Sequence, residues 1–175
     1  MVWRGSTTNR EKLFACLVYS IPILEVLGFG YFLFQVFPFL ELLFFPFIRI
    51  LPIYGFSYQG VRLVEIAIFI ALYAWVVQNR RIVHFLRFHT MQALLIAIFV
   101  FLCGALLELL GVTRSVVGLR PSGVEFLFST SLLTGVFLVV IGAVIYAVIQ
   151  AVRGLYAELP FFSDTVYKIV REWNP

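Results

Sequence analysis

The sequence predicts an all-α integral membrane protein with four transmembrane helices, and three observations carry that prediction. Of the 175 residues, 62% are hydrophobic and 13% charged, whereas a soluble domain carries about 25% charged and about 45–50% apolar residues. The apolar residues fall into long runs separated by short basic stretches. One such stretch packs Arg80, Arg81, Arg87 and both histidines between two greasy segments, the arrangement that orients a membrane protein. A single membrane domain over residues 1–175 follows, with spans at about 13–34, 61–77, 91–110 and 126–150 and interfacial segments at 36–53 and 163–173.

The first span follows a basic start (Arg4, Arg10, Lys12) and is too long for a signal peptide. No transit peptide is read ahead of it. A helix rises about 1.5 Å per residue and the hydrocarbon core is about 30 Å thick, so roughly 20 residues suffice. Pro22 bends this span near Ser20, and Glu25 places an acid near mid-bilayer. Pro38, Pro46 and Pro52 then cut the next apolar stretch. Each proline deletes a helix hydrogen bond, so short interfacial pieces are expected, with Glu41 and Arg49 at headgroups and the phenylalanines at 37, 39, 44, 45 and 47 as anchors.

The second span, 61–77, is short. Arg62 and Glu65 are three apart and share a helix face, where they can pair. Ala67, Ala71 and Ala74 form a small-residue stripe. The third span carries Ala93 and Ala97 at packing distance, and the segment 111–125 with Arg114 and Arg120 reads as a polar loop. The fourth carries the pair Ser131 and Gly135 and the series Ala143, Ala147, Ala151, suited to close helix contact. Beyond Arg153, Ser163 caps an amphipathic helix whose apolar side is Val166, Ile169, Val170 and Trp173, expected to lie on the membrane.

Orientation comes from the thirteen basic residues. Four spans put nine of them with the N-terminus, the 78–90 loop and the tail, against Arg49, Arg62, Arg114 and Arg120 on the other side. Both termini are therefore expected on the cytoplasmic or equivalent side. The positive balance serves topology and anionic lipid; no nucleic-acid patch is formed.

No enzyme signature is present: there is no HExxH, GxSxG, Walker loop or CxxC. His84 and His89, five apart, point in different directions on a helix, and neither a cysteine nor an acid completes a metal set. No cofactor is implied. Glu25 and Glu65 are the candidate functional residues, because a carboxylate in a span costs roughly 2.5–3.5 kcal/mol on insertion scales and faces a bundle interior or water. Each is read either as the wall of a polar pathway or as an interhelical hydrogen-bonding group. Arg80, Arg81 and Arg87 are read as topology signals, or as a docking surface on the inner side.

Four blocks resemble a known family. They are Phe14-Ala15-Cys16-Leu17-Val18-Tyr19-Ser20-Ile21-Pro22-Ile23-Leu24-Glu25, then Phe37-Pro38-Phe39-Leu40-Glu41 with Phe45-Pro46-Phe47. The third is His84-Phe85-Leu86-Arg87-Phe88-His89-Thr90-Met91-Gln92-Ala93, and the fourth runs from Leu155 through Pro160-Phe161-Phe162 to Tyr167. In order and composition they resemble the Tic-twenty family, the small four-span subunit of the chloroplast inner-envelope protein translocon. The resemblance implies a non-catalytic, channel-forming or channel-associated role in protein import, with other translocon subunits and a polypeptide in transit as partners. It implies the plastid inner envelope or a cyanobacterial plasma membrane as location, and a cyanobacterial or plastid-encoded member. Four tightly packed helices leave no room for an extended chain, so an oligomer or larger complex is expected. The alternatives are a small-solute or ion transporter that uses Glu25, and an assembly or lipid-organising protein without a conduit.

Overall fold

The computed structural model describes residues 8–79, 81–109, 124–159 and 163–172. Arg80, residues 110–123 with Arg114 and Arg120 of the expected polar loop, residues 160–162 and Trp173 lie outside them. The first apolar run is a stack of short helices: α1 (Asn9–Val18), α2 (Ser20–Val26), a 3-10 turn (Leu27–Gly30) and α3 (Tyr31–Val36). Thr8 starts it with a capping box, its hydroxyl accepting from the Glu11 N–H while Glu11 accepts from the Thr8 N–H. The break at Tyr19 has a local cause. Pro22 offers no N–H to the Val18 carbonyl and crowds it, so α1 ends one turn before the proline.

The proline-rich segment departs from the expectation of pieces no longer than seven residues. Pro38–Tyr54 is one helix, α4, of 17 residues, with Pro38 in its first turn and Pro46 and Pro52 inside it. Proline in the first turn costs nothing, because that N–H has no intrahelical partner. The two interior prolines each remove one bond, and packing makes up the loss. α4 folds back along α2 and α3, where Phe44 joins Phe34 and Phe137 in an aromatic triad with centroids 5.6–5.9 Å apart. Of the five expected lipid anchors, Phe44 and Phe47 instead turn toward the protein, while Phe37, Phe39 and Phe45 are exposed.

A two-stranded hairpin follows, β1 (Ser57–Tyr58) and β2 (Val61–Arg62), pairing Ser57 with Arg62 and Tyr58 with Val61. Its two-residue loop, Gln59 and Gly60, has positive φ at both positions (51° and 81°), the backbone that closes a twisted hairpin. α5 (Leu63–Leu72) continues into a π-helical turn (Tyr73–Val77). α6 (His84–Leu109) and α7 (Val124–Arg153) are the long helices, and α8 (Ser163–Glu172) is the last.

Three stretches are long and apolar enough to cross a membrane: Asn9–Val36, His84–Leu109 and Leu127–Arg153. They pack on one another around Tyr19, Val26, Ala93, Ile96, Val100, Phe137, Val140, Val144 and Ala147. α6 and α7 run antiparallel, with Leu107 beside Leu133 at one end and Phe85 beside Ala151 at the other. Ala93, Ala97, Ala147 and Ala151 are fully buried, in keeping with their reading as packing positions, whereas Ser131 and Gly135 face outward.

The tail helix also differs from expectation. Rather than turning its apolar side to lipid, α8 packs Val166 and Val170 against Val77, Phe88, Met91 and Leu94. An amphipathic pattern requires that one face be covered, and here the cover is protein.

Candidate functional site

Two polar clusters lie within this apolar frame. The first sits between α2, α4, α5 and the hairpin. The Glu25 side chain is 2% exposed, and its two oxygens are bound from different directions. The Tyr54 hydroxyl donates to Oε1 at 2.6 Å, and Arg62 Nη1 donates to Oε2 at 3.3 Å. Arg62 Nε also lies 2.7 Å from Glu65 Oε2, an ion pair in which the N–H is not aligned on the oxygen, so that buried oxygen has no hydrogen bond. The guanidinium stacks over the Phe101 ring at 5.3 Å. Tyr54 ends α4 next to this acid. Burial, then the hydrogen bond to Glu25, push its hydroxyl above the ordinary phenol range, so it remains a donor.

Each member is set in place by local structure. Glu25 is the last polar residue of α2, aimed inward by the restart of the helix after Tyr19. Tyr54 arrives because α4 is unbroken and ends at Gly55. Arg62 is delivered by the tight hairpin turn, and Glu65 stands in the first turn of α5. The two acids singled out from sequence are thus brought together, and the Arg62–Glu65 pair is formed. The role of Arg62 as a bridge to Glu25, and that of Tyr54, were not foreseen: both depend on contacts 37 and 29 residues away along the chain.

The second cluster lies near the start of α6. His89 is fully buried. Its Nε2 lies 3.2 Å from the Leu155 carbonyl, which can only accept, so Nε2 carries the hydrogen and Nδ1 accepts from the Tyr19 hydroxyl at 2.9 Å. Gln92 Nε2 donates to the Ala157 carbonyl at 2.9 Å. His84 Nδ1 and the Tyr156 hydroxyl are 3.1 Å apart. The expectation that the two histidines point in different directions is thereby modified, because the tail crosses both. A helix-ending turn aims it there: Gly154 has φ 74°, with Leu155 N–H bonded to the Gln150 carbonyl and Gly154 N–H to that of Ala151.

The basic stretch splits. Arg81 is exposed, and its backbone N–H bonds the Asn79 side chain. Arg87 is 2% exposed, and its Nε donates to the Val77 carbonyl at 2.8 Å. It is therefore an internal strut that ties α6 to the π-helical turn, and its burial, contrary to the docking reading, leaves it no surface to offer a partner. Among the described residues no three His, Cys, Asp or Glu gather as a metal site would require.

The clusters explain why four separated blocks form one pattern. Tyr19 of the first meets His89 and Gln92 of the third, which hold Leu155 and Ala157 of the fourth. Phe47 of the second packs with Ile21 and Leu24 of the first. A family model described as "Chloroplast import apparatus Tic20-like" matches residues 9–166. The chain belongs to this family. A Tic20 family protein of Synechocystis is 35% identical over 171 residues, covering 98% of this chain and 99% of the relative. Protein TIC 20-II, chloroplastic, of Arabidopsis thaliana is 28% identical over 162 residues, covering 90% of this chain and 71% of the relative.

Proposed function

We propose that the chain is a non-catalytic, channel-forming or channel-associated subunit of a protein-import translocon in the plastid inner envelope or a cyanobacterial membrane. The observation that carries this reading is the family match over residues 9–166, whose first, third and fourth blocks meet in a hydrogen-bonded network while the second packs against the first. Cross-linking tests it. Probes placed near Glu25 and along 36–53 should react with a polypeptide arrested in transit, and absence of such products in active membranes would remove the translocon role.

The fourth crossing is assigned to Leu63–Val77. α5 and the π-helical turn hold 10 and 5 residues, about 22 Å of rise. They run antiparallel to α6, with Arg62 over Phe101 at one end and Val77 bonded to Arg87 at the other. With four crossings both termini lie on the stromal or cytoplasmic side, a topology checked by labelling single cysteines at Thr8 and Lys168 from each face. The packed interior of one copy supports assembly with other subunits or further copies around any conduit, with lipid on the outer surface.

A second reading, transport of an ion or small solute, is favoured by the burial of Glu25 and Glu65. Under it, Glu25→Gln abolishes proton-dependent flux in liposomes while assembly stays intact.

A further inference from the structure

We propose that Glu25 and Glu65, with Arg62 between them, form a buried site that binds a single proton. The cluster contains two carboxyl groups and one guanidinium, and both carboxyl side chains are at least nine-tenths buried (2% and 8% exposed). The groups facing them are known from every element that packs there: Tyr54 from α4, Arg62 from β2 and the uncharged Phe101 from α6. Among the described residues no second cation reaches the pair.

Charge balance then decides the occupancy. Arg62 offsets one carboxylate. A second carboxylate a few ångströms away in an apolar setting has no counter-ion, and an uncompensated buried charge costs several kcal/mol. One proton, taken from water and held as an O–H on the Glu65 carboxyl, removes that charge without moving a side chain. The geometry provides for it. Glu65 Oε2 is buried without a hydrogen bond, and the Glu25 and Glu65 carboxyls face each other across the guanidinium. The Tyr54 hydroxyl is already committed to Glu25 Oε1 at 2.6 Å. Arg62 and Glu65 also line a groove of about 480 Å³, walled by Phe69, Ile98 and Phe101, so the cluster borders the outside of the bundle. The groove wall thus has two charge states, neutral with the proton bound and singly negative without it.

This assignment stands apart from the translocon reading, because it concerns proton occupancy and not cargo. The test is carboxyl spectroscopy, by infrared and by carbon-13 labelling of glutamate, on the full chain in liposomes. The wild-type protein should show one protonated glutamate near neutral pH whose signal disappears as the pH is raised. Glu25→Gln and Glu65→Gln should each abolish it, since either leaves one acid balanced by Arg62, while Glu41→Gln leaves it intact. Arg62→Gln should double it. Absence of the signal in the wild-type protein overturns the proposal whether or not the variants fold. So does its persistence in both glutamine variants, or its replacement at neutral pH by potassium.

Discussion

The Tyr19 hydroxyl lies 2.9 Å from Nδ1 of His89, across 70 residues of sequence and with both side chains fully buried. The opposite ring nitrogen is committed to the Leu155 carbonyl, so the imidazole is held at both ends. Tyr19→Phe leaves Nδ1 without a donor in the core. The expected cost is about 1–3 kcal/mol, read as a lower melting temperature in detergent, and His89→Phe in the same background should add a further loss, because it takes the donor from the Leu155 carbonyl.

Gly30 is a steric requirement. A Cβ there would sit 2.8 Å from Cε2 of Phe137, a ring pinned between Phe34 and Phe44. Gly30→Ala should therefore destabilise the bundle by about 1–3 kcal/mol. The double variant with Phe137→Leu should recover part of that loss, a coupling that a thermodynamic cycle measures.

Removing the Tyr54 hydroxyl takes a donor from buried Glu25. Tyr54→Phe should lower stability by about 1–3 kcal/mol. The pH dependence has a definite sign. The folded protein holds the Tyr54 proton more tightly than the unfolded chain, so this stabilisation is full below about pH 10, the ordinary phenol value. It is lost as the pH rises beyond that. Alkaline melting curves should be less steep for Tyr54→Phe than for the parent.

Arg87 and Arg81 should separate cleanly. Breaking the buried Arg87 strut, as in Arg87→Gln, is expected to cost about 1–3 kcal/mol, because the Val77 carbonyl loses its donor. Arg81→Gln, at an exposed position, should stay within about 0.5 kcal/mol. Equal effects of the two on melting would contradict the strut.

Val170→Asp places a carboxylate against Val77, Phe88 and Met91. The α8 helix should release from α6 and become sensitive to protease added on its own side of the membrane, while the three long helices persist by circular dichroism.

The sequence made the apolar runs, the Pro22 break and the oddity of Glu25 readable, because each is a local departure from its surroundings. Ala93, Ala97, Ala147 and Ala151 were readable as packing positions for the same reason. The path of 38–54 was not: counting prolines counts lost bonds, but the contacts that compensate, Phe44 on Phe34 and Phe137, are made with distant residues. The same limit hid Arg62 as the bridge to Glu25. A hydrophobic face on α8 announces that something covers it, not whether lipid or protein does. The pair Gln59-Gly60 does not by itself announce a hairpin, and the consequence of that turn, the delivery of Arg62 to two acids, depends on where α2 lies.

The Gly154 turn sets an order for biogenesis. The carbonyls that complete the bonding of His89 and Gln92 belong to Leu155 and Ala157, which are synthesised only after α7. While the ribosome is still making α7, α6 holds an imidazole and an amide that lack their final partners. This polar cluster closes only once the segment after α7 has been made, and a chain truncated before Leu155 offers quality-control proteases an unsealed polar core.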